Sequence, residues 1–114
     1  MEESSKAGVV MRMYELLKVL IPLVNNFPRD QRFILGTRME HLALETLEKL
    51  IEAYYLSGEE KKARLKTVNL SLEKLRYLLR LGYELGYYNS RRYGEFAERL
   101  LEIGRMVGGW IKSV

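Results

Sequence analysis

One histidine, a few clustered glutamates and no cysteine bound the chemistry open to this chain. His41 has no second imidazole and no thiol anywhere in the sequence with which to bind a metal, and no partner residue to make it a general base. Glu45, Glu48 and Glu52 recur at three and four residues and share one helical side. Carboxylates in a helical bundle hold metals when two helices each add a Glu-x-x-His pair. A single histidine cannot supply that, so a solvated acidic face is expected. The serines have no base to activate them, and neither a Walker pattern nor a dinucleotide glycine loop is present. The expectation is a protein that is not an enzyme and that takes no metal or cofactor.

Binding chemistry is better represented. Lys62, Lys66, Asn69, Glu73, Arg76 and Arg80 are spaced four, three, four, three, four, which stacks them on one side of a helix. Long cationic arms in such a row can follow a phosphate backbone; an ordinary solvated face would show the same row. Farther on, arginines and tyrosines interleave as Arg76, Tyr77, Arg80, Tyr83, Tyr87, Tyr88, Arg91, Arg92 and Tyr93. Guanidinium groups pair with phosphates and tyrosine rings stack on bases. The structural alternative is that the tyrosines staple a helix corner with wet hydroxyls, and Tyr93 falls on an expected core face. Arg91 and Arg92 stand at a helix start, where the dipole disfavours cations, a mild argument that they serve binding. The candidate nucleic-acid contacts are therefore Lys62, Lys66, Arg76, Arg80, Arg91 and Arg92.

The charge distribution points the same way. The net charge is +4, but residues 61–114 carry 12 Lys/Arg against 5 Glu, while residues 1–60 carry 7 Lys/Arg against 10 Asp/Glu. A basic half suits a polyanion, without saying which one. With 114 residues, 47% hydrophobic and 30% charged, the chain has the size and balance of one globular domain, residues 1–114, with residues 1–10 expected to be flexible. Its longest apolar run, residues 19–24, is far short of a membrane span. The acidic, polar start does not resemble a secretory signal, and the lack of cysteine excludes a disulfide scaffold; a cytoplasmic location is expected.

Four helical segments position these groups. The first is expected over Lys6–Val24, kinked or ended by Pro22. The second spans Arg29–Leu56, with Leu35, Met39, Leu42, Ala43, Thr46, Leu50 and Ala53 at helical spacing and Gly58 left-handed at its end. In the third, Glu59–Leu85, residues Leu65, Val68, Leu72, Leu75 and Leu79 form a bundle seam, and Gly86 stops it. Asn89 or Ser90 caps the fourth, which reaches Lys112 with Tyr93, Phe96, Ala97, Leu100, Ile103, Gly104, Val107, Gly108 and Ile111 inward. Short breaks make neighbours antiparallel, so the fold class is all-α, an up-down-up-down four-helix bundle.

Two helices carry more apolar surface than one bundle buries. Phe33, Leu44, Ile51 and Tyr55 make a second stripe on one, and Leu70, Tyr77 and Leu81 lie opposite the seam on the other. Extra stripes signal self-association, with Trp110 placed at the rim or at a subunit contact. Gly104 and Gly108, four apart on the last core face, suggest that a neighbouring helix approaches closely.

The run Phe27-Pro28-Arg29-Asp30-Gln31-Arg32-Phe33-Ile34-Leu35-Gly36-Thr37-Arg38-Met39-Glu40, continuing through His41-Leu42-Ala43-Leu44-Glu45-Thr46-Leu47-Glu48, opens a longer pattern. Leu75-Arg76-Tyr77-Leu78-Leu79-Arg80 and Ile103-Gly104-Arg105-Met106-Val107-Gly108-Gly109-Trp110-Ile111-Lys112 complete it. Together they resemble the accessory variability determinant (Avd) proteins of diversity-generating retroelements, over nearly the whole chain beyond residue 10. The resemblance implies a four-helix bundle assembled as a pentameric barrel, with a basic surface for RNA or DNA. It also implies partnership with a reverse transcriptase that copies a template-repeat RNA into mutagenised cDNA. Arg29, Arg32 and Arg38 match the opening motif, and could equally make salt bridges to Glu40 and its neighbours. Four-helix proteins encoded in ribosomal RNA intervening sequences have a similar Phe-Pro opening, and would make this a protein-interaction module with no polymerase partner. Their Arg-Arg-Ala-rich stretch ending in Asn-Ile-Ala-Glu-Gly is missing here.

Overall fold

A computed structural model describes residues 2–114, with side chains from Gly8 onward. The expected flexibility of residues 1–10 falls largely outside the described side chains. The elements are α1 (Glu2–Asn25), α2 (Arg29–Gln31), a π-helical turn (Arg32–Gly36), α3 (Thr37–Tyr55), α4 (Gly58–Glu84) and α5 (Ser90–Ser113). Among the described residues there is no strand. The four long helices close a ring: α1 packs on α3 and α5, α3 on α4, and α4 on α5.

The core is the set of inward stripes. Met13, Leu16, Leu20 and Val24 come from α1, Met39, Leu42, Ala43, Leu50 and Ala53 from α3, and Leu65, Val68, Leu72, Leu75 and Leu79 from α4. The seam expected on α4 is buried throughout. Thr46 is buried among these residues, its hydroxyl satisfied by donating to the Leu42 carbonyl at 2.7 Å. On α5, Phe96, Leu100, Ile103, Val107 and Trp110 are buried, while Tyr93, Ala97, Gly104, Gly108 and Ile111 are only half-covered.

Several expectations need correction. Pro22 neither ends nor breaks α1, which runs on to Asn25. Pro22 itself is exposed, and burial of Leu23 and Val24 anchors the last turn despite the lost donor. The second segment is not one α-helix. The Thr37 N–H reaches back five residues to the Arg32 carbonyl, and the Thr37 hydroxyl donates to the same oxygen at 3.0 Å, so a π turn interrupts the run. Its cause is visible in the packing: a Cβ on Gly36 would lie 2.5 Å from Val24 Cγ1, so the turn and the end of α1 pack at glycine distance.

Trp110 is not at the rim. It is 4% exposed within this chain's own core, with Lys61 Nζ 5.7 Å from its ring centre. Among the described residues nothing packs closely on Gly104 or Gly108, since a Cβ at either would meet none of their atoms within 4 Å.

Gly58 does have a left-handed backbone (φ 58°), but it opens α4 after an extended Ser57; Gly86 (φ 83°) turns the chain after α4. Asn89 is the residue that caps α5, its side-chain oxygen accepting from the Arg92 N–H at 2.8 Å.

Candidate nucleic-acid interface

The basic stripe of α4 is real as a surface. Lys66, Asn69, Glu73, Arg76 and Arg80 are exposed and Lys62 is half-buried. At 1.5 Å rise per residue, Lys62 and Arg80 stand about 27 Å apart along the axis. Arg91 and Arg92 join from the first turn of α5, both exposed.

Their charges are less free than the sequence implies. Arg76 pairs with Glu73 at 3.0 Å, Arg80 with Glu84 at 2.8 Å and Arg91 with Glu95 at 3.5 Å. The hydrogen bond that Arg80 donates to Glu84, then the Glu84 charge, raises the Arg80 pKa further above its already high ordinary value, so this guanidinium stays cationic. All three pairs are on the surface, where ion pairs are weak and readily exchanged. An incoming phosphate can displace a carboxylate there at small cost. Lys62, Lys66 and Arg92 have no carboxylate partner among the described residues.

Between α4 and α5 the stripe borders a shallow groove. One hollow of about 350 Å³ is lined by Asn69, Leu72, Glu73, Arg76, Leu100, Leu101, Gly104 and Arg105. Toward the α5 start a second is walled by Glu73, Arg76, Tyr77, Arg80 and Tyr93. Gly104 keeps the first hollow open, since it has no side chain to fill the space above it.

Arg105 was not among the expected contacts. It is exposed and lines the same groove as Arg76. It lies two helical turns after Glu98 on α5, and only knowledge that α5 packs beside α4 brings it to the stripe.

The tyrosines divide. Tyr83 and Tyr93 stack face to face at 4.7 Å and 3°, and Phe27 contacts Tyr87 and Tyr88 at 5.2 and 6.0 Å. Tyr88 also packs where a Cβ on Gly82 would sit, and its hydroxyl donates to the Leu79 carbonyl. Burial above all raises its pKa well beyond the usual tyrosine range. Four of the interleaved rings thus staple the corner between α4, α5 and the end of α1. Tyr77, 66% exposed, is the ring of this run left open.

The opening motif is accounted for in the same corner. Phe27, Leu35 and Gly36 are buried in it. Arg29, Arg32 and Arg38 make none of the ion pairs expected with Glu40 or its neighbours among the described residues.

A family model described as bAvd-like matches residues 9–114. The chain belongs to the bAvd-like family. No curated protein matches it. In this bAvd-like chain the matched span takes in α1 from Val9 onward, the other three long helices whole, and both halves of the basic surface. Among the described residues no helix is long and apolar enough to cross a membrane, and no three His, Asp or Glu side chains cluster as a metal site.

Exposure of the apolar stripes is uneven but genuine: Leu44, Ile51 and Tyr55 on α3 and Leu70, Tyr77 and Leu81 on α4 all face outward. Phe33 is exposed too, but lies within the π turn. That turn holds more residues than an α turn, so the helical phase upstream slips by up to about 100° and Phe33 leaves the line of Leu44, Ile51 and Tyr55.

Proposed function

We propose that this protein is a non-catalytic accessory subunit of a diversity-generating retroelement. In this role it binds nucleic acid through the α4–α5 basic surface and associates with the reverse transcriptase during mutagenic cDNA synthesis. The observation that carries the reading is the bAvd-like match across residues 9–114. Lys62, Lys66, Arg76, Arg80, Arg91 and Arg92 hold the phosphates, with Arg105 added from the groove.

The bundle is read as antiparallel. Arg12 in the middle of α1 pairs with Glu102 in the middle of α5 at 3.3 Å, and one turn earlier in α1 a Cβ on Gly8 would lie 3.6 Å from Met106 Cε, one turn later in α5; Glu52 near the end of α3 pairs with Arg64 near the start of α4. Both support up-down-up-down order. Self-association follows from two unlike stripes. If the α3 stripe of one copy meets the α4 stripe of the next, the contact is heterologous and propagates until it closes a ring. Five copies are what the family resemblance implies, and a ring repeats each weak cationic row several times around one ligand. A cytoplasmic setting fits this work.

Three measurements test the reading on the full chain. Co-expression with the reverse transcriptase of its retroelement should yield a stable complex on co-purification. Sedimentation should give a mass several times 13.4 kDa, and affinity for RNA should fall steeply with salt. A monomer that ignores RNA and DNA at low salt, and does not co-purify with the polymerase, refutes it.

A further inference from the structure

The opening motif does more than build a corner. In an uninterrupted α-helix, Arg32 would share the line of Leu35, Met39, Leu42 and Thr46, at spacings of three, four, three and four, and would face the core. The π turn removes it from that line, and Arg32 is exposed. The same turn presents Phe33 at 73% and Ile34 at 69% exposure, adjacent to each other and among the most open apolar side chains of the molecule. π turns of this kind recur at functional sites.

The arginines of the surface divide into paired and unpaired, Arg92, Arg99 and Arg105 being unpaired among the described residues. Arg12, Arg64, Arg76, Arg80 and Arg91 each have a glutamate partner. Arg29, Arg32 and Arg38, which flank Phe33 and Ile34 in the chain, have none among the described residues. Exposed apolar anchors thus stand among guanidinium groups whose pairing capacity is unused.

We propose that this corner docks a segment of a partner protein that carries an apolar anchor flanked by carboxylates. Arginine pairs with carboxylates bidentately, and exposed aromatic and branched side chains with an arginine rim have the composition of an interaction hot spot. Nucleic acid fits less well, because a phosphate backbone gives Ile34 nothing apolar to cover. A second copy fits less well, because the π turn sets Phe33 off the stripes assigned to self-association. The inference stands apart from the nucleic-acid reading and uses none of its residues.

Selection of random twelve-residue peptides on the full chain tests it. The enriched peptides are expected to carry Asp or Glu around one or two large apolar residues. Measured by fluorescence anisotropy, their affinity falls about tenfold or more for Phe33→Ser with Ile34→Ser, and separately for Arg29→Gln with Arg32→Gln; Phe33→Leu retains most of it. All four side chains are exposed, and a melting curve for each variant shows the fold intact; if the serine pair fails to fold, the glutamine pair decides. Enrichment of no acidic family overturns the proposal, as do peptides that bind the folded variants undiminished. Serine substitutions that lower the assembly mass, or RNA affinity, with peptide binding unchanged assign the corner to a second copy or to nucleic acid and likewise overturn it.

Discussion

Replacing Gly36 and Gly104 by alanine, one at a time, should move stability in opposite directions. At Gly36 the new methyl group would lie 2.5 Å from Val24 Cγ1 and 3.5 Å from Phe27 Cδ2, against a β-branched side chain with little rotamer freedom in a buried corner. Overpacking of this kind costs about 1–3 kcal/mol. The gain from removing a helical glycine returns at most about 1 kcal/mol. A 2.5 Å contact belongs in the upper part of the overpacking range, about 2–3 kcal/mol, so the net loss is about 1–2 kcal/mol, which for 114 residues at about 2.1 cal/mol/K each lowers Tm by roughly 4–8 °C. At Gly104 the methyl group meets nothing within 4 Å, so only the glycine gain remains: about 0.5–1 kcal/mol, or a Tm roughly 2–4 °C higher. Calorimetry at one fixed protein concentration reads both, since self-association makes Tm depend on concentration. A neutral or stabilising Gly36→Ala would refute the packing account of the π turn. A destabilising Gly104→Ala would mean that the open groove is filled by another chain in solution.

Other outcomes follow from the same geometry. Arg76→Gln with Arg80→Gln should weaken RNA binding and reduce the log–log salt slope by about 2, leaving Tm nearly unchanged because both side chains are exposed. The only tryptophan should emit as a buried indole and resist iodide quenching even where the assembly is diluted to single copies, because Trp110 is covered by its own chain; exposure on dilution would restore it to a subunit contact. Burial raises the Tyr88 pKa, so as pH climbs past the ordinary value of about 10 the unfolded chain ionises first. Stability from this group is therefore full below that pH and is lost as pH rises toward the folded value; Tyr88→Phe should flatten the alkaline fall in Tm relative to the parent chain. Leu81→Lys should lower the sedimenting mass without unfolding the bundle, and an unchanged mass would remove the α4 stripe from the interface.

Much of the architecture was legible in the amino-acid order because helices are local. Spacing of three and four placed Leu65, Val68, Leu72, Leu75 and Leu79 on one seam, and Gly86 and Asn89 marked a stop and a start, all without reference to distant parts of the chain. The family pattern was legible for the same reason, since its motifs are contiguous. The π turn was not, because periodicity assumes constant phase. What breaks the phase is a contact between Gly36 and Val24, residues on different elements. Trp110, expected at the rim or at a subunit contact, was misplaced because residue order does not show how α5 packs; once it is packed the ring lies inside.

The candidate site was legible in part. Sequence order determined which residues are cationic, that Lys62 through Arg80 share a helical side, and that spare apolar stripes exist, since each depends only on residue type and helical pitch. Tertiary structure decided which arginines carry glutamate partners, which tyrosines are consumed as staples, that Arg105 reaches the groove, and that Arg32, Phe33 and Ile34 turn outward. Those outcomes depend on which helix lies beside which and at what phase, and that is set by the packing of the whole core.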